Sequence, residues 1–547
     1  MATLKQEPIT LIWHRRDLRL DDHSLYHNRS GKIVSCVILS LKRLPSIACA
    51  DFDMLSIGPH FGKTYLEAVA DLRSSLQSRG GEILIRTSTD SVQTLIELAR
   101  EIQCTEVAWM EEPGTWESKE SRRLQQAIRS QLARNVRITT DVCYSMWHPN
   151  DLPADEEHWR RLAQPKQKFK SNKSKKQKES SPTQSSFHSI IDVTPDRFGG
   201  MPQVMGDFRR AARTATTIRE PLVAPQSIQL PLYIPDAGTI PTLEEWFGPI
   251  LQESDRPIMG VSPENLMTVV RTLDREVRRP RGGESVAKAR LRHLLQDTRE
   301  KERAKADVLT NDDSSQLSRH LVMGTLSPRR VVKEIHGLEH LTWLTTHLEM
   351  RDFFLYYCWK NGAKMYQLDG LPVCSKPLGH PWKSPRDLTE EWKAWSTGHT
   401  GFPLVDAAAR QLQEGYISNR VRQNLASFLT RDLHLDWRAG AEYFQLWLED
   451  FCVAANWGNW MYFSGVGPDP KSRHFRTVSQ AKRYDANGEY VKRFVEELDV
   501  TCGPEQCLRP WDLVDDYPKP IINPASQYTW QDLQELNESG RICEKNT

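Results

Sequence analysis

The chain has 547 residues, which is enough for two or three domains and a large hydrophobic core. Its formal net charge of +2 creates no overall field typical of a nucleic-acid-binding protein, so any such site must be local. The 10 cysteines include no C-x-x-C pair, which argues against a zinc ribbon or a dithiol redox centre.

The cysteine usage is typical of mostly reduced thiols in an intracellular protein. No apolar run is long enough to cross a membrane, and the start, "MATLKQEPIT", lacks the apolar stretch of a secretory signal. We therefore expect no membrane partner. The sequence does not distinguish nucleus, cytoplasm and organelle.

Residues 8–143 alternate strand and helix patterns. Short β-branched runs such as "ITLIWH", "IVSCVILS" and "EVAWM" are separated by helical patterns such as "FGKTYLEAVADLRSSLQSRG". This alternation predicts an α/β domain with a doubly wound parallel sheet. No G-x-G-x-x-G follows the first strand, so this domain need not hold the main cofactor.

Residues 144–275 are predicted to form a long interdomain linker. The Lys- and Ser-rich run "KQKFKSNKSKKQKESSPTQSS", near residues 164–186, cannot bury enough apolar surface to fold and is predicted to be disordered. A solvated loop is one interpretation of it, and a basic arm that touches nucleic acid is the other.

Residues 276–500 are predicted to form an all-α domain. Segments such as "LTWLTTHLEMRDFFLYYCWKNG" and "GAEYFQLWLEDFCVAAN" fit amphipathic or buried helices, and no comparable strand pattern interrupts them. Residues 501–547, with "DDYPKPIINP", are predicted to be an irregular tail.

Most of the 17 tryptophans lie in this second half, and "CVAANWGNWMYFSG", residues 452–465, is the densest cluster. A core can use the indole rings, but it does not need the two amides of Asn456 and Asn459. A flat ligand with polar edges can use both, and Gly458 would permit its close approach.

Four motifs together carry a resemblance to a known family. They are "WHRRDLRLDD", which alone could be a salt-bridged loop, then "GYISNRVRQNLASFLTRDLHLDW", "NWGNW" and "QAKRYDANGEYVKRF". In this order they resemble the photolyase/cryptochrome flavoproteins. The segment "GVGPDPKSRHFRTVSQAKRYDANGEYV" is most similar to the DASH cryptochromes.

The resemblance implies FAD inside the helical domain and a second, light-harvesting chromophore near the α/β domain. A folate, 5,10-methenyltetrahydrofolate, is the antenna candidate, with Glu111, Glu112 and Glu117 as region-level contacts. It also implies damaged, single-stranded DNA as partner, or a signalling protein partner if the role is sensory, and a monomeric state.

The FAD pyrophosphate is expected at "DDSSQLSRHLVMGTLSP", where hydroxyls and free N–H groups precede a helix. Ordinary helix capping is the alternative role of these serines. Arg351 matches the family arginine that reaches the flavin side, and a guanidinium suits phosphate. The residues of the segment assigned to the cofactor are Ser314, Ser315, Leu317 and Ser318.

Arg422 and Asp450 match a family pair beside the isoalloxazine ring, and they can also serve as a structural ion pair. Asn456 matches the position facing flavin N5, where an amide can accept or donate a hydrogen bond. Cys452 replaces the family's second acid, and a thiol is a poor acceptor for flavin N3–H.

Trp460 and Trp437 match the family's chain of redox tryptophans, which passes electrons to photoexcited flavin. Trp382 is the candidate for the third member, although a gapless alignment falls on Pro385. Aromatic packing alone explains any one of these residues, whereas their joint spacing favours electron transfer.

The lesion cavity implied by the resemblance departs from the family pattern. His347 stands where a glutamate is usual, and Met350 stands where a lesion-stacking tryptophan is usual. A protonated His347 could donate to the lesion carbonyls. Tyr416, Asn419 and Tyr462 still match cavity positions.

Two functions are therefore open. The first is light-driven repair of cyclobutane pyrimidine dimers, mainly in single-stranded DNA, which Asn456 favours. The second is a blue-light photoreceptor with little or no repair activity, which His347 and Met350 favour.

Overall fold

The structure is a computed structural model, in which the predicted disordered run near residues 164–186 lies almost wholly outside the described residues. The described residues are 7–27, 29, 31–164, 190–296, 309, 314–371, 381–469, 473–498, 501–514 and 516–538.

The N-terminal domain contains a five-stranded parallel sheet in the order β5-β2-β1-β6-β7. A separate antiparallel hairpin is formed by β3 and β4. The strands are β1 Ile9–His14, β2 Lys32–Leu39, β3 Arg43–Pro45, β4 Asp53–Leu55, β5 Ile83–Thr87, β6 Glu106–Met110 and β7 Arg137–Asp141.

Helices cover both faces of this sheet. Leu11 and Trp13 of β1 pack into one hydrophobic cluster with Val92 and Leu124, whereas Ile12 packs into the other. Successive side chains of a strand point to opposite faces, so a strand buried on both sides is continuously apolar. The doubly wound α/β prediction is confirmed.

The described part of residues 144–275 contains several helices, but residues 216–242 within it carry neither helix nor strand. Numbered from the start of the chain, the helices continue into the second domain. The first eight are α1 Pro59–Gln77, α2 Ser91–Glu101, α3 Thr115–Gln131, α4 Glu156–Ala163, α5 Met205–Ala215, α6 Leu243–Leu251, α7 Pro263–Arg275 and α8 Glu284–Gln296.

The second domain is helical, as predicted. Its helices are α9 Ser318–Val322, α10 Pro328–Glu334, α11 Thr342–Asn361, α12 Thr389–Thr397, α13 Pro403–Leu412, α14 Asn419–Ser427, α15 Trp437–Trp447, α16 Val453–Ser464, α17 Thr477–Tyr484 and α18 Glu489–Phe494. The final segments hold α19 Pro504–Leu508 and α20 Trp530–Glu538.

The tryptophan-rich segment forms α16, despite its asparagines and glycine. The helix ends at Gly465, whose φ of +77° allows the left-handed turn of a helix C-terminus. It packs against α11, α14 and α15, and α11 is apolar around most of its circumference. Burial against three helices therefore outweighs the weak helix propensity of the segment.

Buried ion pairs join the two domains. Arg329 of α10 binds Asp22 at 2.9 Å, and Arg330 binds Asp21 at 2.8 Å. Both acids belong to the "RRDLRLDD" motif after β1, so this motif connects the sheet to the helical domain. In the described part of the chain, no helix is long and apolar enough to cross a membrane.

Candidate cofactor site

A cavity lies in the helical domain where α14, α15 and α16 meet. Its wall includes Phe444, Phe451 and Phe463 on the apolar side. Six residues predicted from the sequence also line it: Asn419, Arg422, Asp450, Cys452, Asn456 and Trp460. The structure thus brings together side chains that are separated by up to 41 positions in the chain (460 minus 419).

Arg422 and Asp450 form an ion pair in the cavity wall. The Arg422 Nη2 atom lies 2.9 Å from both carboxylate oxygens of Asp450, whose side chain is 2% exposed. The Arg422 Nε atom also donates to the Ile417 carbonyl at 2.9 Å. The guanidinium is therefore held in place at the cavity edge, where it can offset negative charge on a bound ring.

Asn456 lines the cavity half-buried, and its Nδ2 atom donates to the Ala441 carbonyl at 2.9 Å. This bond uses the donor end of the amide. The Oδ1 acceptor then remains for a ligand in the cavity. An acceptor in this position favours a ligand nitrogen that carries a proton.

The predicted phosphate segment approaches this cavity through Tyr416. The Ser314 and Tyr416 hydroxyls lie 3.1 Å apart, and the Arg422 guanidinium lies 5.6 Å from the centre of the Tyr416 ring. Arg290 holds the segment from behind by donating to the Ser314 and Ser315 carbonyls at 2.9 Å.

The serines of this segment differ in their local contacts. The Ser314 and Ser315 hydroxyls accept backbone N–H groups, those of Gln316 at 3.1 Å and Leu317 at 3.5 Å. The Ser318 Oγ atom is buried without a hydrogen-bond partner in the described structure. A buried hydroxyl needs a partner, and a bound phosphate oxygen would supply one. The residues present therefore fit FAD.

Arg351 does not line the cavity in the described structure. Its guanidinium donates to the carbonyl of Tyr144 and, at 3.0 Å, to that of Leu321. These contacts tie α11 to the loop after β7 and to the end of α9. Arg351 therefore positions the α9 segment through these two backbone contacts.

The three tryptophans predicted to carry electrons have different surroundings. Trp460 contacts Phe444 and Trp395, with ring centres 4.9 and 6.5 Å apart. The ring of Trp437 packs edge-on against that of Trp457, with ring centres 5.7 Å apart. Trp382 is half-buried and packs against the main hydrophobic core.

Trp395 was missed by sequence reasoning. Its ring is fully buried and lies 5.4 Å from Trp392 and 5.5 Å from Tyr443. The signal was available in "EEWKAW", because residues three apart share a helix face. The sequence-based candidate in the same segment is Trp382, although the gapless family spacing falls on Pro385.

Of the predicted lesion residues, Asn419 lines the cofactor cavity in the described structure, whereas His347, Met350, Tyr416 and Tyr462 do not. His347 is exposed and packs edge-on against Trp343 at 5.2 Å. Desolvation and the nearby Arg209 lower the pKa of His347, so the neutral imidazole is favoured near pH 7. Met350 is half-buried, and Tyr462 lies beneath the Arg473 guanidinium at 5.7 Å.

A second cleft of about 490 Å³ lies between the two domains and is lined by two of the predicted antenna residues, Glu112 and Glu117. Arg16 lies 2.9 Å from a carboxylate oxygen of each. Burial alone would raise the pKa of Glu112, but Arg16 holds it below the ordinary value. Glu111 instead accepts from Trp109 Nε1 at 3.0 Å, inside the α/β domain.

The rim of this cleft carries an exposed aromatic ring. Trp116 is 47% exposed, and the Lys42 ammonium lies 4.1 Å from its ring centre. Trp457 and Tyr366 line the cleft deeper inside, with ring centres 4.7 Å apart. The cleft therefore offers aromatic faces together with both signs of charge.

Sequence comparisons identify two matching domains. The "DNA photolyase" family profile matches residues 10–186, and the "FAD binding domain of DNA photolyase" profile matches residues 343–533. The chain is 30% identical to cryptochrome DASH of Gloeobacter violaceus, an alignment that covers 94% of this chain and 93% of that protein. It is also 30% identical to cryptochrome DASH of Natronomonas pharaonis, over 95% and 98% of the two chains.

Solved structures agree in fold. The Synechocystis sp. PCC6803 cryptochrome is 25% identical, with a TM-score of 0.73 and coverage of 99% of this chain and 100% of that one. A bacterial class III photolyase from Agrobacterium tumefaciens is 21% identical, with a TM-score of 0.69 and coverage of 99% and 100%. The chain therefore belongs to the photolyase/cryptochrome family, contains its FAD-binding domain, and is DASH-like.

Proposed function

We propose that the chain binds FAD in the α14–α16 cavity and uses blue or UV-A light to repair cyclobutane pyrimidine dimers, mainly in single-stranded DNA. The convergence of the Arg422–Asp450 pair and the Asn456 amide on one cavity carries this proposal. Ser318 offers an unused buried hydroxyl for phosphate.

The protein residues set the state of the cofactor. Reduced FAD, when bound, supplies a light-activated electron. Arg422 favours negative charge on the ring that it faces, and the Asn456 acceptor favours a protonated ring nitrogen. Both preferences support a reduced, electron-donating cofactor. In the proposed reaction, the dimer would accept this electron. The bonds of its cyclobutane ring that join the two pyrimidines would then break, and the electron would return to its donor.

Trp460 is proposed to start the path that restores reduced cofactor. Its ring lines the cavity and contacts Trp395, which contacts Trp392. Electron tunnelling falls steeply with distance, so adjacent indoles provide short steps through the core. Trp437 and Trp382 remain proposed members of the path predicted from the sequence.

Single-stranded substrate is proposed because flipping a base out of a strand without a partner requires less energy. The lesion surface also provides weaker contacts than the family pattern. Met350 gives no stacking ring, and neutral His347 does not reproduce a glutamate. We propose Tyr416, Asn419 and Tyr462 as the remaining lesion contacts.

A photoreceptor with little or no repair is the second candidate function, and the same two residues favour it. In that case the light-driven change of cofactor state regulates a protein partner. One experiment separates the candidates. Purified protein is illuminated with a thiol donor, its flavin spectrum is recorded, and dimer repair is then assayed on single-stranded and duplex DNA.

Release of FAD on denaturation in near-equimolar amount supports cofactor binding. Light-dependent repair supports the enzyme, whereas photoreduction without repair supports the receptor. Colourless protein that takes up no added FAD would refute both candidates.

We also propose that the interdomain cleft holds a folate antenna. Trp116 can stack on a flat heterocycle, and Lys42 and Lys119 can bind carboxylates. An absorption band that disappears in Trp116→Ala, while the flavin bands persist, would support this site.

A further inference from the structure

We propose that His14, Asp17 and His23 form a structural zinc site in the α/β domain. His14 ends β1, Asp17 lies in the following loop, and His23 precedes the short 3-10 turn Ser24–Tyr26. All three side chains have zero exposure to solvent. The three donor atoms lie within 4.8 Å of one another.

The distances fit a shared cation. Asp17 Oδ2 lies 3.2 Å from His14 Nδ1 and 2.8 Å from His23 Nε2. Zinc bonds of about 2.0–2.2 Å to nitrogen and oxygen place tetrahedral ligand atoms about 3.3–3.6 Å apart. The 3.2 Å separation is close to this range, and the 2.8 Å separation must widen by about half an ångström to admit the ion. The Asp17 carbonyl oxygen lies 3.3 Å from His14 Nδ1 and provides a further oxygen at the site.

Hydrogen bonds orient two of the three donors, His14 and Asp17, whereas His23 Nδ1 is buried without a hydrogen-bond partner in the described structure. His14 Nε2 lies 2.7 Å from the Tyr26 hydroxyl, which lies 2.6 Å from Ser35 Oγ. The other Asp17 oxygen accepts from the Arg15 N–H at 2.7 Å. Such outer contacts fix the tautomer and the ring orientation of ligating histidines.

The charge of Asp17 also requires a partner. Its carboxylate is fully buried, and its ion-pair partners among the described residues are His14 and His23, which carry a charge only when protonated; no arginine or lysine of the described residues pairs with it. A buried charge without a countercharge is strongly unfavourable. A divalent cation held by two imidazoles and one carboxylate supplies the positive charge directly.

A zinc ion here would stabilise the loop after β1, which contacts both the interdomain cleft and the helical domain. The loop carries Arg16, which binds Glu112 and Glu117 in the interdomain cleft. It also carries Asp21 and Asp22, which bind α10 of the helical domain. The proposed metal is structural and independent of the flavin chemistry, so its test does not depend on repair activity.

The experiment measures zinc in full-length protein expressed in zinc-supplemented medium and purified in the presence of EDTA. Elemental analysis should give about one zinc per chain. X-ray absorption at the zinc edge should show imidazole nitrogen and oxygen ligands without sulfur. Because the site is buried, a second sample is unfolded and refolded with zinc chloride alone.

Variants assign the site. His14→Gln and His23→Gln each replace an imidazole with a polar side chain of similar size. We expect each variant to bind zinc more than about tenfold more weakly, because losing a ligand should cost at least as much affinity as losing an outer contact to a ligand. His148→Gln is the matched control, because His148 is also buried and lies 2.8 Å from a carboxylate oxygen of Asp141 in the same domain. It should retain zinc.

Zinc-free protein from both preparations would overturn the proposal and leave a hydrogen-bonded trio. Zinc with sulfur ligands, or zinc retained by the double His14→Gln/His23→Gln variant, would place the metal elsewhere and also overturn it. If the variants do not fold, the zinc content and the X-ray absorption spectrum of the unmodified protein decide whether the proposal holds.

Discussion

At the scale of single residues, the aromatic contacts of Trp460 suggest a second route for the proposed electron transfer to the cavity. The ring of Trp395 packs against that of Trp460, with ring centres 6.5 Å apart, whereas the ring of Trp437 packs against Trp457. Family spacing predicts Trp437 as the second carrier, and ring geometry adds Trp395. The two assignments can be compared by substitution.

We expect Trp395→Phe to slow photoreduction of oxidised flavin by a thiol donor severalfold, and more than Trp437→Phe does. Phenylalanine is much harder to oxidise than indole, but it still fills most of the site. Transient absorption after a blue pulse measures the rate. Trp460→Phe should affect it most strongly.

Trp359→Phe is the control, because Trp359 is a buried tryptophan of α11 that packs against Phe198 and Tyr356. Unchanged photoreduction in Trp395→Phe would show that this ring serves packing alone.

The Arg422–Asp450 pair allows a second test. Asp450→Asn leaves Arg422 without its counter-charge at the cavity edge, so the guanidinium loses its fixed position. We expect FAD affinity to fall by about 1.5–3 kcal/mol, roughly 10- to 150-fold. Titration of flavin-free protein with FAD measures it.

Asp151→Asn provides the comparison, since Asp151 pairs with Arg219 at 2.7 Å on the surface. If Asp450→Asn binds FAD as tightly as this control, the pair has no role in binding the cofactor.

At the scale of elements, the close packing of α16 on α11 explains Gly458. A Cβ at this position would lie 2.2 Å from Phe354 Cδ1. The glycine therefore admits a neighbouring phenyl ring, and not the flavin as the sequence suggested. Asn456, two residues earlier in the same helix, does line the cavity.

We expect Gly458→Ala to destabilise the protein by about 1–3 kcal/mol, because overpacking outweighs the gain of about 1 kcal/mol in helix propensity. Chemical denaturation measures the change in unfolding free energy. Gly206→Ala in α5 is the control, since nothing lies within 4 Å of its added Cβ. Equal stability of both variants would contradict the packing argument.

Strand and helix periodicity predicted the α/β sheet and the helical domain because both patterns reflect burial. The convergence of Arg422, Asp450 and Asn456 followed from family spacing. The Trp395 contact and the His14–Asp17–His23 cluster did not, because they depend on side-chain directions after folding.

At the scale of the whole molecule, two buried carboxyl groups join the domains. Asp352 accepts the N–H groups of Met146 and Trp147, and Glu442 accepts from Ser46 Oγ and the Ile47 N–H. Burial raises the pKa of each carboxyl group to about 7. Both groups therefore bind a proton more tightly in the folded protein than in the unfolded chain.

Their contribution to stability is complete below the ordinary carboxyl pKa of about 4 and is lost as the pH rises to about 7. We expect unfolding free energy to decrease across this window. The double variant Asp352→Asn/Glu442→Gln should show a smaller decrease in denaturation at pH 5 and pH 8. Identical pH dependence in both proteins would contradict the assignment.

The altered lesion surface tests the function of the complete protein. In the proposed lesion surface, Met350 in place of a stacking ring would lower lesion affinity by about 1–3 kcal/mol, roughly 5- to 150-fold. Duplex DNA requires additional energy to unpair the flipped bases. We therefore expect measurable repair of dimers in single-stranded DNA and negligible repair in duplexes.

Restoring the family pattern with His347→Glu and Met350→Trp should raise dimer affinity in a binding assay and leave the flavin spectrum nearly unchanged, because neither side chain lines the described cofactor cavity. Lys333→Gln, on the exposed surface of α10, serves as a control for nonspecific charge effects.

Efficient duplex repair by the unmodified protein would contradict the weakened surface. Absence of repair by every variant, with photoreduction intact, would instead favour the photoreceptor, since cofactor chemistry would then operate without a DNA product.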